Sequence, residues 1–177
     1  IVGNREGALA LARSLVMQSV AHCGPADLTL GVFFDRGKED EWSWTSWLPH
    51  TRQSGSSTGG RWISCDRDQS TAMLKNLHQS IDGLLSPELL LLIDSEVLTE
   101  GRDAPARELL GHGRHVNNYN QRKNIHRVSG IVIASSTEQL PASCTVVIDV
   151  GEDAAATFTE PEKRRVIEDI IIGGISL

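Results

Sequence analysis

Long apolar runs are what this sequence most lacks. The longest, Ala8 to Ala12 and Leu89 to Ile93, are five residues each, against the roughly 20 needed for a bilayer-spanning helix. Cysteine is also scarce. Cys23, Cys65 and Cys144 are odd in number, widely spaced and set in apolar or strand-like contexts, which disfavours a disulfide framework or a zinc site and points to a reducing cytosol. Positive charge is in deficit, with 17 basic against 23 acidic side chains and a net charge of −6. That argues against a large nucleic-acid surface, although a local basic patch would survive such a balance. Arg5-Glu6 interrupts the opening apolar residues, so they do not form the core of a signal peptide.

What is present fits a single α/β domain over residues 1–177, with no internal linker. The organising stretch is the first: Ile1-Val2-Gly3-Asn4-Arg5-Glu6-Gly7 running into Ala8-Leu9-Ala10-Leu11-Ala12-Arg13-Ser14-Leu15. An apolar stub, two glycines and an alanine- and leucine-rich helix is how a phosphate-binding strand–loop–helix begins. Glycines there let the backbone bend and bring N–H groups close to an anion at the helix N-terminus. A Walker-type loop places four residues between its glycines and follows them with Lys-Ser/Thr. Here three residues separate Gly3 from Gly7, and Ala8-Leu9 occupy the Lys-Ser/Thr positions. No lysine is supplied for the phosphates and no hydroxyl for Mg²⁺, and Glu6 adds a repelling charge. We expect a nucleotide-binding architecture stripped of its chemistry. The chain starts in mid-strand, and we expect it to be excised from a longer protein.

Leu9, Ala12, Val16 and Val20 recur at helical spacing, widened by Ala8, Leu11 and Leu15, which predicts a helix covered on more than one side. Gly24-Pro25 ends it. Asp27 to Asp35 and Glu88 to Asp94 are predicted buried strands, each ending in an acid; periodicity alone leaves a helix open for the leucine run of the second, and the Ser-Pro before it and the acid after it favour a strand. Residues 36–41 form an exposed charged turn, and Trp42, Trp44 and Trp47 cluster before Pro49. A serine- and glycine-rich loop over 51–60 leads to a short strand at 61–65 and a helix over 69–84 carrying Met73, Leu74, Leu77, Ile81 and Leu84. Thr99 to Leu110 is part turn and part helix, with Pro105 limiting its start. Residues 111–127 are predicted to be a long exposed loop. Strands follow at Val128–Ala134 and Cys144–Val150, with a short edge strand at Ala154–Phe158. A final helix capped by Thr159-Glu160-Pro161-Glu162 is predicted through Ile172. The alternation gives a three-layer fold of the RecA or Rossmann type: a mainly parallel sheet with helices on both faces.

Four leucines, Ile93 and Asp94 resemble a Walker B strand, whose acid orients a metal-bound water. Glu96 follows two residues later, where a displaced base would stand. Asp94 also has a structural interpretation, because any doubly wound sheet contains a strand ending in Asp. The tryptophans could form a ligand platform, but packing of a loop onto the sheet edge is the commoner use. His50 has no acid–base partner in the sequence. His112 and His115 lack further metal ligands. Arg114, Arg122, Lys123 and Arg127 suit a solvated loop better than a phosphate site, and Ser54, Ser56 and Ser57 lack a nucleophile-elbow context.

Ile-Val-Gly-x-x-x-Gly-Ala-Leu-Ala-Leu-Ala-Arg-Ser-Leu, Pro25-Ala26-Asp27-Leu28, Trp42-x-Trp44-x-x-Trp47-Leu48-Pro49-His50 and the leucine strand to Asp94 together resemble one family. They are similar to the N-terminal, degenerate ATPase-like module of actinobacterial FtsK/SpoIIIE-type ATPases, namely the EccC component of type VII secretion and relatives that carry a forkhead-associated domain. The likeness covers residues 1 to about 150 and weakens beyond. It implies a cytoplasmic module of a membrane-associated parent that oligomerises and translocates protein or DNA. Its partners would be other ATPase domains of the same chain, and a secreted protein substrate or signalling partner. Carried over, Gly3, Asn4, Arg5 and Gly7 correspond to the phosphate loop and Asp94 to the Walker B acid. ATP and Mg²⁺ belong to the parent's motor domains, and no cofactor, catalytic residue or metal ligand is expected here. Two alternatives stand beside a noncatalytic coupling module. One is an active NTPase in which Arg5, Asp94 and Glu96 act together; the other is a docking module using the tryptophan region.

Overall fold

The computed structural model describes residues 1–53, 59–80, 87–99, 104–111 and 128–176. Ser54, Ser56, Ser57, Ile81, Leu84, His112, Arg114, His115, Arg122, Lys123 and Arg127, singled out above, lie outside them.

Strands β2 (Leu28–Phe34) and β4 (Glu88–Asp94) pair in parallel over their whole length, from Leu28 opposite Glu88 to Phe34 opposite Asp94. Successive side chains of a strand point to opposite faces, and here both faces are covered. Leu30, Val32, Leu90 and Leu92 pack with Leu9, Ala12 and Val16 of helix α1 (Arg5–His22). Phe33, Leu89, Leu91 and Ile93 pack with Leu74 and Leu77 of α3 (Arg67–Ser80) and Leu109 of α4 (Pro105–Gly111), the short helix α2 (Glu39–Trp42) lying between β2 and α3 in the chain. Burial on two sides is why these strands are near-continuous apolar runs without alternation.

The remaining strands are β1 (Val2–Gly3), β3 (Ile63–Ser64), β5 (Val128–Val132), β6 (Val147–Val150), β7 (Ala155–Glu160) and β8 (Arg165–Ile171). Their order is β3-β2-β4-β5 in one half and β1-β6-β7-β8 in the other. The halves meet where the Ile1 nitrogen donates to Val132 O at 2.6 Å and Ala134 N donates to Ile1 O at 3.1 Å, the slanted pattern of parallel strands. β1 to β6 thus run in one direction, and the predicted three-layer α/β fold is observed. Helix α1 is covered on a second side as expected. Gly174 lies so close to Ala10 that an added Cβ would stand 2.5 Å from its Cβ, and Ile175 N donates to Ala10 O at 3.0 Å.

The carboxyl-terminal helix expected through Ile172 is not formed. Thr159 and Glu160 end β7, and Pro161 to Ile171 is the turn and second strand of an antiparallel hairpin, with Glu160 opposite Arg165 and Ala155 opposite Ile171. Pro161 opens a single 3₁₀ turn, Pro161–Lys163, and Arg164 takes a left-handed conformation (φ 51°) that reverses the chain. Val166, Ile167, Ile170 and Ile171 are β-branched, lose side-chain freedom in a helix and suit a pleated surface. The capping signal of Pro161 was a local preference, overridden by pairing with β7. That pairing also makes β7 an interior strand, not the expected edge, because β6 flanks its other side.

Gly3 and Gly7 serve a different purpose from the one their spacing suggested. Gly3 has φ +96°, and a Cβ there would stand 2.3 Å from Val150 O; a Cβ on Gly7 would stand 2.6 Å from Val150 Cγ1. Both glycines let the β1–α1 turn press against β6. A Gly3→Ala substitution is expected to cost about 2–3 kcal/mol through overpacking and backbone strain. At this size that lowers the melting temperature by roughly 5–10 °C, and an unchanged melting curve would contradict the assignment.

Candidate functional site

The turn between β1 and α1 is shorter than any phosphate cradle. Asn4 is the only residue between the strand and the helix. Its side chain caps α1 by accepting from Gly7 N at 3.0 Å, and its own amide donates to Val150 O at 2.7 Å. The expected loop from Gly3 to Gly7 is therefore a helix cap followed by a first helical turn. Glu6 is not inside a loop. It lies exposed in that first turn, where a negative charge complements the helix dipole.

Asp94 ends β4 at the carboxyl edge of the sheet and is 1% exposed. An unpaired carboxylate so placed would be strongly destabilising, and four donor groups answer it. Arg5, the first residue of α1, makes a two-pronged contact, Nη1 to Oδ1 at 2.8 Å and Nη2 to Oδ2 at 2.6 Å. Lys38 Nζ reaches Oδ1 at 2.9 Å and the Asp94 carbonyl at 3.0 Å. The Trp42 indole Nε1–H donates to Oδ2 at 2.8 Å. Arg5 also pairs with Glu41. Burial alone would raise the Asp94 pKa, but the hydrogen bonds from Arg5, Trp42 and Lys38 outweigh it and hold the carboxyl below its ordinary value. The bond to Asp94 in turn raises the Arg5 guanidinium. Behind this group, the Arg13 guanidinium sits 5.9 Å from the centroid of the Trp42 ring, a cation–π arrangement.

Of the five candidate residues, the fold brings Gly3, Arg5 and Asp94 to one cleft, whose lining includes Lys38 and Glu96. Asn4 and Gly7 are used within the helix cap. Glu96 is exposed and accepts from Ser135 Oγ at 2.8 Å. The cleft measures about 130 Å³, below the roughly 300–1,000 Å³ typical of small-molecule sites. Both Asp94 oxygens that a magnesium ion would need already accept from cations or the indole. The residues present do not fit a magnesium–nucleotide.

The contacts of Lys38 and Trp42 with Asp94, and of Glu41 with Arg5, were not read from the sequence. Residues 36–41 looked like an exposed turn, but Lys38 turns inward. The signal was the parallel pairing of β2 and β4, which sets Phe34 beside Asp94 and delivers the following residues to the acid. Two of the three clustered tryptophans pack: Trp42 is fully buried, and Trp44 lies against the core. Trp47 is 87% exposed. His50 is buried, with Nε2 2.8 Å from Cys23 O, and ties the tryptophan segment to the end of α1.

No protein-family profile matches the chain, and no curated protein matches it. Solved structures do. The cytoplasmic domain of the type VII secretion ATPase EccC of Thermomonospora curvata superposes with a TM-score of 0.62 at 14% identity, over 98% of this chain and 23% of that one. A second EccC structure from that organism, comprising ATPases 2 and 3 in complex with a signal sequence peptide, gives 0.61 at 14% identity over 98% and 36%. The chain shares the α/β fold of these domains. It spans 23% of the length of the first and 36% of the second. Among the described residues no helix is long and apolar enough to cross a membrane.

Removing Asp94 leaves Arg5, Lys38 and the Trp42 N–H facing each other without their acceptor. Asp94→Ala is expected to cost about 3 kcal/mol, the scale for breaking a buried pair from one side. Arg5→Met should cost less, about 1 kcal/mol, because that side chain is 42% exposed and solvent-screened. The depressed Asp94 pKa fixes the sign with pH. Its contribution is fully present above the unfolded value near 4 and is lost as pH falls through the lower folded value. Urea unfolding from pH 7 to pH 2.5 should show wild type and Asp94→Asn converging below about pH 4. A difference constant with pH would contradict the assignment.

Proposed function

We propose that this chain is a noncatalytic ATPase-fold module of a cytoplasmic, membrane-associated FtsK/SpoIIIE-type secretion or translocation ATPase, acting in coupling between domains. The carrying observation is the state of Asp94. At the position where an ATPase of this fold holds magnesium, the acid is closed off by Arg5, Lys38 and Trp42. Asn4 and Gly7, which would belong to a phosphate loop, form a helix cap instead. The likeness to EccC domains supports the parent's class, and the degenerate opening motif supports the loss of hydrolysis. ATP and Mg²⁺ then act in other domains of the parent, which would be the module's nearest partners in an oligomer.

A docking role rests on a separate feature. Trp47 projects from the 3₁₀ turn Ser43–Trp47 with most of its surface exposed, and exposed tryptophan is typical of contact centres. It would meet a neighbouring ATPase domain or a secreted protein, as the second EccC structure meets a signal sequence peptide. Folded Trp47→Ala should lose that association while keeping its melting temperature.

A fluorescent ATP analogue titrated with Mg²⁺ should show no saturable binding up to about 1 mM, equivalent to less than about 4 kcal/mol. Phosphate release should equal that of buffer. Micromolar binding with turnover abolished by Asp94→Ala would instead establish an active NTPase using Arg5, Asp94 and Glu96.

A further inference from the structure

A second cleft opens at the carboxyl edge of the sheet, and none of the residues that bond Asp94 lines it. β2 continues to β3 on one side and β4 to β5 on the other, so the chain parts where these two neighbours end. Such a parting at strand ends leaves a crevice in which ligands bind. The start of α3 and the residues after β2 and β4 wall this one, which measures about 410 Å³, within the size range of small-molecule sites. Most of its polar groups are already spent. Asp66 caps α3, its Oδ1 accepting from Asp68 N and Gln69 N at 3.1 Å each, and its Oδ2 pairs with Arg36 at 2.5 Å. Asp35 accepts from Ser95 Oγ at 2.6 Å and lies 3.5 Å from Lys38 Nζ.

Two groups in the lining are left over. Ser70 is 1% exposed, and its Oγ has no hydrogen-bond partner among the described residues. A buried hydroxyl in that state is rare and costs stability unless something meets it. Arg67 is exposed and forms no ion pair among the described residues. The two are three residues apart on α3 and so share a face of it, at the positive end of a 14-residue helix. Phe34, Val97 and Leu98 supply apolar wall. We propose that this cleft binds a small organic carboxylate, its oxygens taken by Arg67 and Ser70 and its apolar part by Phe34, Val97 and Leu98. A guanidinium presents parallel donors that match a carboxylate, and the serine hydroxyl adds a donor from within. A doubly charged phosphate fits less well. The amides of Asp68 and Gln69 that would cradle it are spent on Asp66, and one spare cation stands beside two aspartates. The site needs neither magnesium nor a triphosphate, so it is independent of the closed Asp94 cluster.

The test is to titrate the intact chain with benzoate, and with benzamide as the uncharged control, following amide resonances by NMR. Benzoate should shift the amides of Asp68 to Ser70 and of Val97 and Leu98 saturably, with half-saturation at about 1 mM. Benzamide should bind at least about tenfold more weakly. Ser70→Ala and Arg67→Gln should each weaken benzoate by about tenfold. Because Ser70→Ala removes an unanswered buried polar group, it should also leave the melting temperature unchanged or raised. Absence of saturation at about ten times the expected concentration, equal binding of benzamide, or benzoate binding that neither substitution weakens would overturn the proposal. So would a lowered melting temperature of Ser70→Ala, which would mean that the hydroxyl already has a partner within the protein.

Discussion

A carboxylate inside protein must be compensated, and the whole carboxyl edge of this sheet is arranged around that requirement. Asp94 sits at the end of the most buried strand, where water cannot solvate its charge. Arg5, Lys38 and Trp42 come from three places in the sequence to supply the donors. The start of α1, the turn after β2 and the tryptophan segment are thereby fixed to one atom group. In a nucleotide-hydrolysing domain a metal ion would carry much of that charge. Here side chains carry it.

The interaction also accounts for the tight opening turn. A phosphate cradle needs several residues of loop with their N–H groups turned inward. With a single residue between β1 and α1, Arg5 begins the helix and its guanidinium falls directly on Asp94. Gly3 and Gly7 remain because Val150 leaves no space for a Cβ at either position. A motif that looks like a worn phosphate loop is thus maintained by packing against β6. Backbone closeness to an anion and backbone closeness to a neighbouring strand demand the same residue.

Much of the architecture was legible in residue pattern. The runs Asp27–Asp35 and Glu88–Asp94 read as buried strands, the second because Ser-Pro before it and an acid after it weigh against the helix its leucines would also allow, and the broad stripe of α1 required cover on two sides. Gly24-Pro25 and Pro105 marked helix ends because proline's constraints act locally. The carboxyl-terminal hairpin was not legible, since Pro161 at a turn favours a helix start while the β-branched residues after it favour a strand. Only the available edge of β7 decides between them. At the site, Asp94 and Arg5 could be named from sequence, but their pairing could not. It depends on β4 and β1 being separated by β5 alone, which is a fact of strand order. Lys38 was hidden for the same reason: a charged turn reads as solvated until the neighbouring strand end is known.

The central claim is that Asp94 is held by Arg5, Lys38 and Trp42 in a closed cluster that magnesium–nucleotide does not open. The most direct measurement is the indole N–H resonance of Trp42 followed by NMR during titration with Mg²⁺ and ATP. The account predicts that it stays in place, and slow to exchange with solvent, to millimolar nucleotide. A saturable shift of that resonance, with loss of its protection and of the Arg5–Asp94 contact, would contradict it.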